Sequence, residues 1–314
     1  MTTLNITLKN KHKYIDEHGN LTVPPEVQRV ICKHLQLASL IVPGGIQILD
    51  CSDNNLTSLI VPEGVKKLWC SNNNIAHLDV PEGIQILDCS ENKLTSLNSG
   101  VLPEGIKKLW CFKNKLTSLV VPEGIQELVC YNNKLTHLIV PEGIKELYCS
   151  NNNLTSLIVP EGIQTLVCSN NKLTFLDVPE GIQKLWCYNN KLTSLVVPEG
   201  IQKLDCSNNK LIYINFKSPE SLKYIDINDN KDMIYPPKEY HSKSAKEIVE
   251  WCTSHKIPQR LLLPERWEKR WNAIKLMYIA HYKESLGPLD SPNFNFNIIP
   301  IEIITGIITR YALT

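Results

Sequence analysis

The 314-residue chain has little arginine, little methionine and almost no excess of charge. Only five of its 33 basic residues are arginine, and 32 acidic residues reduce the formal net charge to +1. A protein that binds nucleic acid or an anionic membrane surface usually carries a net basic field. The charge balance therefore argues against both classes of partner.

Long apolar runs are also missing. The first 15 residues contain lysine and histidine where a signal peptide would have an apolar stretch. The most apolar window, residues 298–313, carries Pro300, Glu302 and Arg310 and is too short to span a bilayer. We therefore expect a soluble cytoplasmic protein that is not exported through a signal peptide. If the source is a virus or a pathogen that delivers effectors, the expected location is the host cytoplasm.

The motifs that usually mark an enzyme are absent from the sequence. No serine–histidine–aspartate order, glycine-rich phosphate loop or metal-ligand spacing occurs, and the eight histidines are scattered. We therefore expect no catalytic residues, no bound metal and no cofactor.

Repetition dominates the sequence. Nine cysteines, from Cys51 to Cys206, are separated by 19 residues except for one gap of 22, and Cys32 extends the series backwards. Prolines keep the same register from Pro24 to Pro198. A fixed period near 20 residues indicates a solenoid, in which stacked coils bury a core that no single coil could bury alone.

One unit, residues 125–143, shows how a coil is built. Its apolar residues follow the pattern I-x-x-L-x-C-x-x-N-x-L-x-x-L-x-V-P. The alternation at Leu128 and Cys130 predicts a strand, Asn133 predicts a turn, and Pro141 with Gly143 predicts the next turn. The return side has about nine residues including a proline, which leaves no room for a helix, so we expect it to be extended.

This pattern resembles the leucine-rich repeat, L-x-x-L-x-L-x-x-N-x-L, with cysteine in place of the third apolar residue. It is most similar to the short repeats of bacterial effectors and of proteins from giant DNA viruses. The resemblance implies a solenoid with parallel β-strands on the concave face and extended or turn segments on the convex side. We divide the chain into a capping hairpin at 1–23, a solenoid of about ten repeats at 24–234, and a C-terminal helical cap or tail at 235–314.

The columns of cysteine and asparagine are expected to be structural. Neighbouring strands lie about 4.7–4.9 Å apart, whereas the Cβ atoms of a disulfide lie about 3.8 Å apart. The stacked cysteines are therefore expected to be buried free thiols, which implies a reducing compartment. The buried amides of residues such as Asn133 are expected to bond the stacked loops.

The positions that vary on the strand face carry the functional information. The residues on either side of each cysteine face outwards, and seven of them are large aromatics. Tryptophan and tyrosine are enriched at binding hot spots, and large exposed apolar patches usually mark interaction surfaces. The sequence therefore predicts a protein-binding surface, called the aromatic strip, which is flanked by lysines and interrupted by Glu127 and Glu146. Its residues are Trp69, Trp110, Phe112, Tyr131, Tyr148, Trp186 and Tyr188.

Two other interpretations of the aromatic strip stay open. Aromatic residues suit β-strands and can stack for stability alone, in which case the chain is a structural repeat protein without a specific partner. Aromatic residues together with lysine can also stack nucleic-acid bases. The interleaved carboxylates and the missing basic field argue against this second alternative.

Beyond the repeats the pattern changes to that of helices. Ser244 and Glu247 have the spacing of a capping box and predict a helix that ends near Ser254. A second helix is predicted from Pro264 to about Leu286. It would dock on the last coil through one face, which carries Trp267, Trp271, Ile274 and Tyr278.

The last 15 residues resemble the opening of an F-box, P-x-E-I-hydrophobic-x-x-I-hydrophobic. Some poxviral repeat proteins carry such a truncated segment after their repeats, where it recruits a Skp1-type ubiquitin-ligase subunit. The resemblance implies a substrate adaptor in which the repeats hold the target, and a plain amphipathic helix is the alternative. The matching residues are Pro300, Glu302, Ile303, Ile304, Ile307 and Ile308.

Overall fold

A computed structural model describes residues 2–97, 102–217 and 221–255 of the chain. Its main feature is a 12-stranded parallel sheet in which the strands lie almost in chain order. The strands of this sheet are β1 (Thr2–Asn5), β2 (Val27–Ile31), β3 (Ile48–Asp50), β4 (Lys67–Trp69), β5 (Ile86–Asp88), β6 (Lys108–Trp110), β7 (Glu127–Val129), β8 (Glu146–Tyr148), β9 (Thr165–Val167), β10 (Lys184–Trp186), β12 (Lys203–Asp205) and β14 (Tyr224–Asp226).

The nine strands from β3 to β10 and β12 each have three residues with a buried leucine at the centre. Leu128 of β7 is fully buried, and it lies in register with Leu109 of β6 and Leu147 of β8. The two outer residues of β7 are only partly buried, because successive side chains of a strand point to opposite faces. The alternation predicted from the sequence is therefore confirmed, and the stacked leucines form one column of a continuous core.

Residues with a positive φ angle lie at both ends of the strand. Gly124 precedes β7 with φ of 78°, a conformation that glycine adopts at little cost because it has no Cβ. Asn132 follows β7 with φ of 54°, in the left-handed region that asparagine tolerates better than most residues. The chain therefore reverses direction after three strand residues, and this keeps the repeat short.

The asparagine ladder joins each coil to the one before it. Asn133 is 8% exposed, and its Oδ1 accepts a hydrogen bond from the backbone N–H of Leu116 at 3.0 Å. Its Nδ2 donates to the carbonyl oxygens of Cys111 and Cys130 at 3.0 and 3.1 Å. The same set of bonds recurs from Asn54 to Asn230, so the structural role predicted for these amides is confirmed.

The cysteine ladder forms a second column of the core. All ten of its members, from Cys32 to Cys206, are buried free thiols. Burial raises the pKa of the Cys130 thiol from its ordinary 9.0 to about 12. The thiols therefore stay protonated and pack as small apolar groups, as the spacing of the strands predicts.

The return arms of the coils are extended, as expected from their length and proline content. Val120 and Ile139 form a parallel bridge between adjacent arms, and further along β11 (Ser194–Val197) pairs with β13 (Tyr213–Phe216). Because side chains alternate along these arms, several coils each leave one aliphatic side chain outside the core. Ile60, for example, is 83% exposed. The sequence analysis did not identify this row, which consists of Ile41, Ile60, Val120, Ile139 and Ile158.

The N-terminal segment differs from the simple hairpin that was expected. β1 is parallel to β2 and extends the main sheet by one strand. An antiparallel bridge joins Ile15 to Leu21, and a 3-10 turn lies at Lys11–Lys13. The segment therefore includes a strand of the main sheet as well as a reversal of the chain. Its apolar residues, including Ile6 and Ile15, belong to the hydrophobic core.

The C-terminal part of the described chain contains α1 (Ala245–Ser254). The predicted capping box is present: Ser244 Oγ accepts from the backbone N–H of Glu247, and the Glu247 carboxylate accepts from that of Ser244. Trp251 packs against Tyr235 with ring centroids 4.8 Å apart. Within the described ranges no helix is long and apolar enough to cross a bilayer.

Several predictions concern residues beyond 255 and lie outside the described part of the chain. These are the second helix at 264–286, its proposed docking face, and the F-box-like segment with Pro300, Glu302, Ile303, Ile304, Ile307 and Ile308.

Candidate protein-binding face

Three positions of each coil form the outward side of the 12-stranded sheet, which we call the concave face after the leucine-rich repeats that the sequence resembles. They are the residue before the buried leucine, the residue between leucine and cysteine, and the residue after cysteine. In the coil of β8 these positions hold Glu146, Tyr148 and Ser150, while Leu147 and Cys149 point into the core. They share one side because the side chains of a strand alternate with a period of two.

Along the middle position, aromatic residues occur on every second strand. Strands β4, β6, β8 and β10 carry Trp69, Trp110, Tyr148 and Trp186, and the strands between them carry an aspartate or a valine. These aromatic residues are therefore separated by about 9.5 Å, twice the spacing of adjacent strands. That distance is too large for stacking on one another.

One pair of rings in the aromatic strip does stack. Phe112 and Tyr131 occupy the position after cysteine on adjacent coils, and their ring centroids lie 4.6 Å apart with planes inclined by 12°. Mutual stacking, the alternative explanation for the aromatic residues, therefore applies to this pair. It does not explain the alternating column of Trp69, Trp110, Tyr148 and Trp186.

The aromatic side chains are less exposed than the sequence analysis expected. All seven members of the aromatic strip are partly buried. Side chains on parallel strands stand side by side and cover part of each other's surface, so no ring is fully open to solvent. The strip is therefore a packed surface with partly accessible rings.

Glu127 connects the aromatic strip to the lysines beside it. Its Oε1 accepts a hydrogen bond from the indole nitrogen of Trp110 at 2.7 Å, and its Oε2 accepts one from Lys108 Nζ at 2.7 Å. The hydrogen bond and charge of Glu127 raise the pKa of Lys108. Both carboxylate oxygens of Glu127 are thus engaged within the face, and the indole ring of Trp110 is held in one orientation.

Tyr148 is held in a similar way by the residue two positions before it. Its hydroxyl donates to Glu146 Oε2 at 3.0 Å. Burial, and secondarily the bond to Glu146, raise the pKa of Tyr148 to about 12. Two of the four aromatic residues in the alternating column are therefore oriented by a glutamate of the same face.

The aspartates of the middle position are satisfied inside their own coils. Asp50 Oδ1 accepts from the backbone N–H of Ser52 at 3.2 Å and from its hydroxyl at 2.9 Å. The same pairing occurs between Asp88 and Ser90 and between Asp205 and Ser207. An aspartate in this position therefore supplies the partner for the serine that follows the cysteine.

Where the aspartate is replaced, some of these serines lose that partner. The hydroxyls of Ser150 and Ser169 are buried and make no hydrogen bond. The residue two positions earlier is Tyr148 in one coil and Val167 in the other, and neither accepts a hydrogen bond from the serine. The sequence analysis missed both serines, although the change from Asp-Cys-Ser to Tyr-Cys-Ser or Val-Cys-Ser was a visible signal.

The flanking lysines are not equivalent. Lys107 Nζ lies 3.4 Å from the carbonyl oxygen of Gly124 and donates to the turn of the next coil. Lys184 and Lys203 are exposed beside the strip, on β10 and β12.

Among the described residues, no group of three or more histidine, cysteine, aspartate or glutamate side chains could hold a metal ion.

Comparison with known proteins agrees with this architecture. The family model described as Leucine Rich Repeat matches residues 143–166. The fold of the chain is that of a leucine-rich-repeat solenoid. Its short coils are similar to those of bacterial effector proteins of this type, and the resemblance inferred from the repeat pattern is confirmed. A search of curated protein sequences gives no significant match.

Three solved structures are similar to this chain in fold. YopM, a leucine-rich effector protein from Yersinia pestis, is 26% identical with a TM-score of 0.56, over 67% of this chain and 65% of that chain. The functional domain of InlJ from Listeria monocytogenes, which includes a cysteine ladder, is 26% identical with a TM-score of 0.52, over 60% and 50%. YopM from Yersinia enterocolitica is 23% identical with a TM-score of 0.50, over 68% and 59%, and shows the fold alone. The protein thus spans between half and two thirds of each of these chains.

Proposed function

We propose that this leucine-rich-repeat protein is a non-catalytic interaction module that grips a partner protein along the aromatic strip. The observation that carries the proposal is the column of Trp69, Trp110, Tyr148 and Trp186 on every second strand. Rings at this spacing gain nothing from stacking on each other, whereas partly accessible tryptophan and tyrosine rings are the usual anchors of protein interfaces.

The hydrogen bonds of the strip support a role in binding. Glu127 orients the ring of Trp110, and Glu146 orients that of Tyr148. A side chain that is already held in place loses less conformational entropy when a partner covers it, so pre-organised rings contribute more to affinity. The repeated strands below them form a rigid support.

A protein is a better partner for this face than a nucleic acid. The carboxylates of Glu127 and Glu146 lie within the aromatic strip, and Asp50, Asp88 and Asp205 extend along the same face. These groups would repel phosphates, and the net charge of +1 is too small to compensate for that repulsion. The buried free thiols suit a reducing compartment, so we place this interaction in the cytoplasm.

Capture of partners from a cell lysate tests the proposal. The intact chain is compared with the double variant Trp110→Ala and Trp186→Ala, and with the control Ile60→Ala and Ile139→Ala on the return arms. The tryptophan variant should keep its thermal transition but lose the proteins that the intact chain and the control both retain. An identical set of captured proteins for all three would refute binding through the aromatic strip.

A ligase-adaptor role is a second candidate, and it rests on the F-box-like pattern of residues 300–311. Deletion of residues 298–314 should then abolish co-purification of a Skp1-type subunit without changing the proteins held by the repeats. Failure of the intact chain to retain any such subunit would exclude this role.

A further inference from the structure

The middle position of the concave face alternates between aromatic rings and short side chains. Val129 of β7 lies in register between Trp110 and Tyr148. Val167 of β9 lies in register between Tyr148 and Trp186. Both valines are only partly buried, so part of each remains accessible to a partner beside the rings. Two accessible apolar positions are therefore two strands apart, at about 9.5 Å.

This spacing distinguishes between the regular conformations that a bound segment could adopt along the column. A polyproline II helix has three residues per turn and rises by about 3.1 Å per residue, so every third side chain lies on one face at intervals of about 9.3 Å. Side chains on one face of a β-strand are about 6.6 Å apart. One and two turns of an α-helix are about 5.4 and 10.8 Å long. The polyproline II helix therefore has the closest match.

The match holds over the whole column of rings. From Trp69 on β4 to Trp186 on β10 the main sheet has six strand spacings, which correspond to about 29 Å. Nine residues of a polyproline II helix, three turns, span about 28 Å. Six turns of an α-helix span about 32 Å, so its side chains would be about 3 Å out of step at the end of the column.

Two rings at the ends of the column offer hydrogen-bond donors. Unlike the indole nitrogen of Trp110, those of Trp69 and Trp186 donate no hydrogen bond within the described ranges. A polyproline II helix has no internal hydrogen bonds, so all of its backbone carbonyl oxygens are free to accept. The indole N–H groups can therefore donate to the backbone of a bound segment without regard to its side chains.

Lysines at one end of the column favour an acidic residue in the segment. Lys184 and Lys203 are exposed and lie in register on β10 and β12, and neither forms an ion pair within the described ranges. Like charges opposite each other on neighbouring strands are unfavourable, and a carboxylate from a partner would relieve the repulsion. These strands lie about 5 and 10 Å beyond Val167, which corresponds to two or three residues of a polyproline II helix.

We propose that the aromatic strip binds a proline-rich segment of the partner protein in the polyproline II conformation. Prolines three residues apart contact Val129 and Val167 between the rings, and an acidic residue two or three positions beyond the second proline contacts Lys184 and Lys203. This inference rests on the proposed function, because it names the kind of segment that the aromatic strip recognises. Proline presets this conformation, so the segment loses little conformational entropy when it binds. Surfaces lined by aromatic residues are a recurring means of recognising such segments.

Selection from a library of random peptides displayed on phage tests the inference. The intact chain should enrich peptides with two prolines three positions apart. Val167→Trp places a ring where the second proline is expected, so it should bind these peptides at least about tenfold more weakly. The control Ile158→Trp adds the same ring to the return arm and should bind them as the intact chain does. Melting curves check that both variants fold.

A change in the peptide tests the periodicity without any change in the protein. One alanine inserted between the two prolines turns the second proline by a third of a turn, away from the face. The affinity of such a synthetic peptide for the intact chain should fall by at least about tenfold. The same alanine added at the end of the peptide farther from the acidic residue should leave the affinity unchanged.

Charge reversal tests the acidic residue. The double variant Lys184→Glu and Lys203→Glu should select peptides with a basic residue at the position where the intact chain selects an acidic one. The control double variant Lys172→Glu and Lys191→Glu changes the net charge equally at exposed positions beside the asparagine ladder, and it should keep the acidic preference.

Each other outcome decides against part of the account. The polyproline II inference would be overturned by selected peptides that lack the proline spacing, or by affinities that do not change with Val167→Trp or the inserted alanine. An acidic preference that persists after charge reversal at Lys184 and Lys203 would overturn the contact with these lysines. If the selected peptides still fail to bind the Trp110→Ala and Trp186→Ala double variant, the proposed function survives. Peptides that bind this variant as well as the intact chain, or no selected peptide at all, would count against both.

Discussion

The indole nitrogen of Trp110 donates a hydrogen bond to Oε1 of Glu127 on the neighbouring strand, at 2.7 Å. The second oxygen of the same carboxylate accepts from Lys108. One side chain thus links an aromatic residue of the strip to a lysine at its edge. The glutamates of the face thus position the aromatic rings through hydrogen bonds.

Replacement of Glu127 by alanine should free the ring of Trp110. The expected loss is about 1 kcal/mol in the free energy of unfolding, the usual contribution of one hydrogen bond, together with weaker binding of partners. Glu127→Gln keeps an oxygen that can accept from the indole, so it should lose less on both counts. Chemical denaturation and a binding assay measure the two effects. Equal losses for alanine and glutamine would show that the ion pair with Lys108 matters more than the bond to Trp110.

The asparagine ladder gives a prediction about stability. Asn133→Ala should lower the free energy of unfolding by at least about 3 kcal/mol, because the N–H of Leu116 and buried carbonyl oxygens lose their partner. The control is Asn132→Gly at the adjacent exposed position, where φ of 54° suits glycine. This control should be close to neutral in a urea titration. A small effect of Asn133→Ala would contradict the structural role of the ladder.

The unpaired serine hydroxyls give a prediction of opposite sign. Ser169→Ala should leave the protein equally stable or stabilise it by up to about 1 kcal/mol, because it removes a buried polar group without a partner. Ser90→Ala should destabilise it, because the Ser90 hydroxyl donates to Asp88. Melting temperatures of both variants compare the two sites. Loss of stability from Ser169→Ala would show that its hydroxyl makes a favourable contact.

The buried thiols make stability depend on pH. The folded pKa of Cys130 is about 12 against an ordinary value of 9.0, and burial is the cause. The unfolded chain therefore releases the thiol proton first, so this contribution is complete below pH 9 and is lost as the pH rises towards the folded pKa. The free energy of unfolding should fall as the pH rises above 9, and less steeply in Cys130→Ala. A flat profile across this range would contradict the protonated, buried state of the ladder.

Much of the fold can be predicted from the repeat because every coil has the same pattern of buried residues and turn residues. A fixed spacing of Leu128, Cys130 and Asn133 specifies a strand, a core column and a turn, and these appear where the pattern predicts them. The capping box at Ser244 is equally local, since its two partners lie three residues apart. Patterns of this kind depend on short-range geometry, which the sequence displays directly.

The details of the concave face depend on contacts between coils. The bond between Trp110 and Glu127 joins residues 17 positions apart and requires a particular side-chain orientation. The unpaired state of Ser169 becomes evident only when the Asp88–Ser90 pair shows what an equivalent serine does elsewhere. Likewise, the parallel pairing of β1 depends on how the first coil closes, which no repeat pattern describes.

Photo-crosslinking tests most directly whether the aromatic strip is the surface that holds a partner. The photoreactive residue p-benzoylphenylalanine replaces Tyr188 on the concave face in one protein and Ile60 on the return arm in another. After illumination in a lysate, the protein labelled at position 188 should form a covalent adduct with a partner, and the protein labelled at position 60 should form none. Adducts from position 60 alone, or equal adducts from both positions, would contradict binding through the concave face.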